Sequence, residues 1–405
     1  MSNNQSNMTH DSKGKKKDRI ASIDIFKGLS IIIMVCGHTM NFWVVEGGIW
    51  MYSIMYLYIC SILTSVNFVM LSGMTIPISY LSKIDSGWSI KRTMIHTLKR
   101  ASVLLIISLI YNIIIGTILG SFAWNNIWTY YSWYVLQLIA ISIILTLFMM
   151  PLNKYIRLAI GVTFILIATP LYTWLGSVGT PTSNFIINIF FNPFEDFPFF
   201  PWSGLVIIGS VIGEIFYGVY KSPPEIRQKK LKNFMLYLAL IGLALLAFGL
   251  ISGLGYPAAA DEYWHWYSTY NAANLSTNPF LTIYALPYFM LVGHWTYMFY
   301  GLGVLFIIFA SFIWLADYKK YKNWFFDFLT FVGVLAFSIF LYHHIGIPLL
   351  IHKIPVFWIW PVCVAYTLIV PLIVWLDVKY LKGIGTLEWI MIIVTSTKKL
   401  KKNSK

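Results

Sequence analysis

The chain has 405 residues, 58% of them hydrophobic and only 11% charged, with a mean hydropathy of +0.72. No soluble domain of this size hides so much apolar surface, so the class is an all-α polytopic membrane protein. The net charge of +14 raises nucleic acid or a membrane surface as partners, and the distribution of the basic residues decides between them.

Residues 1–20 form a basic tail containing "KGKKKDR". It resembles the flank of a signal peptide, but the apolar run that follows is too long and lacks a small-residue cleavage site, which predicts a retained helix. A spanning helix needs about 20 apolar residues. Runs of that kind fall at roughly 21–44, 51–81, 97–119, 131–150, 156–175, 201–220, 233–254, 282–315, 326–350 and 355–378, about ten predicted transmembrane helices. The second and eighth are long, so each is expected to tilt, break or follow an interfacial turn, with Gly73 and Pro77 as break points in the second. Residues 379–405 carry an apolar run too short to span and a basic end, which predicts an interfacial helix and a tail. The polytopic domain therefore covers 21–378.

Every Lys and Arg except Lys353 lies on one alternating set of linkers or in a helix close to it. The positive-inside rule then places both termini in the cytoplasm of a cell-membrane protein, with an even helix count. The basic residues read as topology signals and lipid-headgroup contacts, so nucleic acid is excluded. The opposite side carries two long aromatic loops, one with "EYWHWYSTY" and one, "LGSVGTPTSNFIINIFFNPFEDFPFF", ending in an aromatic cluster from Phe194 to Trp202. Both are expected to be interfacial aromatic belts before sugar platforms. Cys36, Cys60 and Cys363 all lie in apolar segments; they form no metal-ligand spacing and read as small buried hydrophobes.

Ionisable groups at membrane depth mark function by default. Carboxylates are scarce there: Asp24, Asp317, Asp327 and Asp377 sit at helix ends and Glu214 toward the inner end of its helix. That weighs against a coupled carrier, although an exporter of a small polar or lipid-linked compound stays the alternative. Histidine is different, being the side chain best suited to proton transfer near neutral pH. His38, His294, His343 and His344 all occupy apolar segments. Lys27 and His38 are eleven residues apart, about three turns, so they share a face roughly 16 Å apart along the axis. Asp24 as a helix cap and Lys27 as a snorkelling anchor account for that end without function, but not for His38.

The stretch Asp24, Lys27-Gly28 and His38 resembles the first helix of the transmembrane acyltransferases: the acyltransferase-3, heparan-α-glucosaminide N-acetyltransferase-like and YeiB-like families. The likeness continues through "VNFVMLSG" with Ser72 and Gly73, "LKRASVLLI", "WYVLQLIAIS" with Gln137, and "DFPFFPWSG" with Asp196 and Trp202. It ends in "FSIFLYHH", with Ser338, Leu341 and His343 in place, and "GTLEW". The resemblance implies transfer of an acyl group, usually acetyl, from cytoplasmic acetyl-CoA to a hydroxyl or amine of an extracytoplasmic sugar-like acceptor, with no metal expected. His38 would be general base or acyl carrier, with His343 as catalytic partner. Lys27, Arg92, Lys99 and Arg100 are candidates for the CoA phosphates. Asn41, Ser72, Gln137, Asp196, Trp202 and His344 are candidates on the acceptor side. Two departures stand out: Lys27 replaces an Arg and loses its bidentate fork, and no second carboxylate is in place to orient His38, which leaves Asn41, Ser72, His343 or His344 for that task. The loop after the first helix also lacks the His of the eukaryotic enzymes.

Overall fold

The computed structural model describes residues 19–45, 60–118, 134–191, 197–255 and 287–396. Among these residues it is all helical: α1 (Ala21–Trp43), α2 (Ile62–Asp85, its first turn π-helical), α3 (Ile90–Ile118), α4 (Val135–Met149), α5 (Lys154–Val178), α6 (Pro181–Phe190), α7 (Phe199–Tyr220), α8 (Pro224–Ser252), α9 (Trp295–Tyr318, its last turn π-helical), α10 (Trp324–Val334), α11 (Ala336–Gly346), α12 (Val356–Tyr380) and α13 (Leu387–Thr395). Eight of them are long and apolar enough to cross a membrane, and nine spans result if the bent pair α10–α11 counts as one. The expected ten are therefore reduced. The run at 131–150 yields only α4, whose 15 residues fall short of the roughly 20 a crossing needs.

α1 is central. It packs along α10 and against α11 and α12, while α2 packs on α7, α5 on α7, and α8 on α9. The closest approach is between α1 and α10. A Cβ on Gly28 would fall on the carbonyl of Leu329, and one on Gly333 would fall on the carbonyl of Asp24. Two facing glycines thus bring the backbones together, the way transmembrane helices gain packing that lipid cannot supply.

The expected break at Gly73 and Pro77 does not occur, since α2 runs unbroken through both. Its missing Cβ lets Gly73 press against the backbone of Val206 in α7, and that packing holds the helix across the proline. The break falls elsewhere, at Leu335, where α10 and α11 meet at 84°. The turn expected ahead of the eighth run is present as a 3-10 turn at Tyr288–Met290. Asp24 is not the cap of α1, which begins after Ile20; it lies in the first turn, 3.9 Å from Arg19. The carboxylate of Asp317 in α9 instead faces the first backbone N–H groups of α1 at Ala21 and Ser22. Glu214, one of the few carboxylates within the apolar helices, is paired with the fully buried Arg157, joining α7 to α5.

The helix break at Leu335 is capped from the far end of the chain. Glu388, on the short helix α13, accepts the backbone N–H groups of Phe337 at 3.1 Å and Ser338 at 3.4 Å. The Ser338 hydroxyl also donates to its carboxylate and accepts the Leu387 N–H at 2.9 Å. Enclosure pushes the Glu388 carboxyl above the usual range, and the hydrogen bonds from Ser338 and Phe337 draw it back. A carboxylate at a helix N-terminus satisfies donors that have no partner of their own.

Two stability outcomes follow. Glu388→Ala strands two amide donors and a hydroxyl, and should cost about 2 kcal/mol, read as a lowered thermal midpoint in detergent, with Glu388→Gln losing less. Gly333→Val must push α10 off α1 and should cost about 1–3 kcal/mol. Gly176→Ala, where nothing lies within 4 Å of the added carbon, should leave the midpoint unchanged. Equal midpoints for Gly333→Val and wild type would remove the close-packing account.

Candidate active site

His38 and His343, 305 residues apart, are brought together: Nδ1 of His38 lies 2.9 Å from Nε2 of His343. His344 completes a cluster. Its ring centroid is 3.8 Å from that of His343 and 5.4 Å from that of His38. One ring nitrogen from each of the three lies within 4.8 Å of the others, the one such cluster among the described residues. His343 is fully buried and His344 nearly so, whereas His38 keeps partial exposure. Of the three, His38 is the least enclosed.

The cluster is held by its surroundings. The end of α1 is stitched to the segment after α11 by His352 N–H to the Phe42 carbonyl (2.9 Å), Ile354 N–H to the Trp43 carbonyl (2.8 Å) and Val45 N–H to the Ile354 carbonyl (3.0 Å). The Trp43 indole donates to the Ile347 carbonyl at 2.7 Å, and the Tyr366 hydroxyl donates to the His343 carbonyl at 2.5 Å. The Tyr111 hydroxyl is hydrogen-bonded to Nδ1 of His344, which also lies 3.3 Å from the Phe340 carbonyl. These contacts fix α11 against α1 from both sides of the imidazoles.

The 2.9 Å contact admits two proton arrangements, in each of which one nitrogen donates and the other accepts. With the proton of His343 on Nδ1, its Nε2 accepts, His38 donates from Nδ1, and the basic nitrogen of His38 is Nε2. That is the arrangement in which one group orients a base and stabilises the imidazolium it forms, here with imidazole in place of a carboxylate.

At the other end of α1, Lys27 sits half-buried, 5.9 Å from the Phe337 ring centroid, with Asp24, Arg100, Glu388 and Arg19 in electrostatic reach. Of the four expected phosphate cations, Lys27 and Arg100 therefore share one neighbourhood. Arg92 and Lys99 are exposed on α3, and Arg92 stacks over Trp88 at 4.0 Å.

The expected acceptor-side residues divide. His344 belongs to the cluster. Gln137 is buried and accepts from Asn112 at 3.1 Å, next in sequence to Tyr111. Ser72 is buried and bonds back to the Phe68 carbonyl of its own helix at 2.7 Å. Trp202 is fully buried against Phe197. Asn41 is half-buried three residues beyond His38. Asp196 and the "EYWHWYSTY" loop lie outside the described residues. The described part of the second aromatic loop packs with its neighbours: the rings of Phe164, Phe190, Phe191, Phe199 and Phe200 lie 4.8 to 6.0 Å apart. His294 caps its own helix α9, accepting the Thr296 N–H.

Sequence reasoning missed Tyr111, Tyr366, Trp43 and Glu388. The available signal for the two tyrosines was a hydroxyl interrupting the apolar runs "LIYNII" and "CVAYTLIV". The role of Glu388 had only the short motif "GTLEW" to announce it.

The family model described as heparan-alpha-glucosaminide N-acetyltransferase, catalytic, matches residues 19–254, from the start of α1 through α8. No curated protein matches the chain. The match includes Lys27 and His38 and stops short of α10, α11 and α13. Covering more than half of the sequence, it shows that the chain belongs to the heparan-α-glucosaminide N-acetyltransferase catalytic family, the multi-pass membrane enzymes that use acetyl-CoA as donor.

Proposed function

We propose that the enzyme acetylates an amine or hydroxyl of a sugar-like acceptor on the extracytoplasmic side, with His38 as general base and His343 orienting it. The observation that carries this reading is the 2.9 Å contact between His38 Nδ1 and His343 Nε2. It turns Nδ1 of His38 toward His343 and makes Nε2 the nitrogen that would take the acceptor's proton, on the least enclosed of the three imidazoles. The family name favours an amine; heparan itself is not implied.

Topology supplies the direction. Counting the short helix α4 as a tenth crossing keeps the basic linkers and both termini cytoplasmic, so that Lys27 lies on the side where acetyl-CoA is found and His38 about 16 Å farther along the same helix face. Lys27 and Arg100 meet the donor's phosphates while its neutral arm follows α1. His38 Nε2 takes the proton from the acceptor as its nitrogen or oxygen attacks the thioester carbonyl. The carbon–sulfur bond then breaks, and the proton passes from the imidazolium to the departing CoA thiolate. The lone pair of His343 Nε2 stabilises His38 while it is charged.

His38→Ala should lower kcat for transfer of radiolabelled acetyl by at least about 100-fold while leaving KM for acetyl-CoA near its wild-type value. Wild-type turnover in that variant overturns the assignment. Lys27→Gln should raise KM for acetyl-CoA more than it lowers kcat, and Lys27→Arg should restore it. A defect in kcat alone removes Lys27 from donor binding.

A further inference from the structure

We infer that His38, His343 and His344 form a binding site for a transition-metal dication of the zinc class, and that an ion there silences the enzyme. The family resemblance implies no metal, and the three histidines are split between positions 38 and 343–344. Folding converts this split into three imidazoles with one nitrogen each inside 4.8 Å.

The His38–His343 pair is close to the geometry of a bound ion, and the His344 nitrogen, within 4.8 Å of the others, has to close in by up to about 1.5 Å. Two imidazole nitrogens on a tetrahedral metal, each about 2.0–2.1 Å from it, are about 3.3 Å apart. His38 Nδ1 and His343 Nε2 are 2.9 Å apart, so an ion entering between them spreads the pair by only about 0.4 Å. The outer contacts fit as well. Metal-ligating histidines usually engage their other ring nitrogen with a carbonyl or other polar partner, which fixes ring and tautomer. His344 does so through Tyr111 and the Phe340 carbonyl. The cluster consists of imidazoles alone, a donor set that suits zinc, copper, nickel or cobalt and does not suit magnesium or calcium. His38 is the least enclosed of the three, and three imidazoles leave the fourth tetrahedral position to water or an anion.

Occupancy and base catalysis exclude each other. The ion takes the lone pairs at His38 Nδ1 and His343 Nε2, so the proton that His38 held on Nδ1 moves to its Nε2, with no net proton released. Nε2 then has no lone pair for the acceptor's proton. The binding claim stands on geometry alone, and the silencing claim rests on the proposed role of His38 as base.

The full-length protein in detergent, washed with EDTA and dialysed, should take up close to one Zn2+ per chain with a raised thermal midpoint, and MgCl2 should do neither. His344→Gln should weaken uptake by at least about 10-fold, and Tyr111→Phe, which keeps every ligand, by about 10-fold. Midpoints without metal establish that both variants are folded. Zinc uptake equal in wild type and a His38→Gln/His344→Gln double variant overturns the site, as does no uptake by wild type. Acetyl transfer is read in parallel. Inhibition by Zn2+ that EDTA reverses supports silencing, and stoichiometric uptake without inhibition overturns it. No zinc uptake together with a dead His38→Ala enzyme refutes the metal site and leaves the base assignment intact. Zinc uptake with a fully active His38→Ala enzyme does the reverse.

Discussion

The contact between two imidazoles inside an apolar bundle is the constraint around which the rest of the molecule is arranged. Neutral imidazoles 2.9 Å apart attract only while one donates and the other accepts, so both tautomers must be set. An unmatched pair in that setting leaves buried polar groups without partners, at a cost of about 1–3 kcal/mol each. The Tyr366 hydroxyl on the His343 carbonyl holds that residue in place, and its ring meets His38. In the proposed reaction an imidazole thereby takes the orienting place of a carboxylate.

Holding the pair to a few tenths of an ångström demands restraint at both ends of α1. At the His38 end, three backbone hydrogen bonds join α1 to the segment after α11, and Trp43 and Tyr366 add two more. At the Lys27 end, Gly28 and Gly333 set α1 against α10, and Glu388 caps the start of α11. The 84° turn at Leu335 lies between these anchors. It aims α11 so that His343 meets α1 about three turns away from Lys27. A straight ninth helix would continue along α10 and carry both histidines elsewhere. The broken helix is thus a device for placing side chains at membrane depth, tolerated because its freed amides find Glu388.

Much of this was legible in the sequence because lipid punishes polar exceptions. Apolar runs announce the helices, and the few histidines inside them announce the site. His38 and His343 stood out for that reason, and so did Lys27. Three things were hidden for physical causes. The break at Leu335 has no proline, and depends on a capping carboxylate some 50 residues away in sequence; local rules pointed instead to Pro77, where packing on α7 keeps the helix intact. Tyr111 and Tyr366 are amphipathic side chains that an apolar run absorbs without trace. The basic cluster of α3 reads as one patch in sequence, yet only Arg100 joins Lys27, while Arg92 stacks on Trp88.

The account requires that one face of α1 connect the donor's phosphates to its reacting carbon. A density map of the protein with a non-hydrolysable acetyl-CoA analogue tests that requirement most directly. It should show the phosphates beside Lys27 and Arg100, the arm along α1, and the acetyl carbonyl close enough to His38 that an acceptor fits between, its nucleophile about 3–3.5 Å from the carbonyl carbon. An analogue bound with its acetyl group away from His38, or with its phosphates away from Lys27, would contradict it.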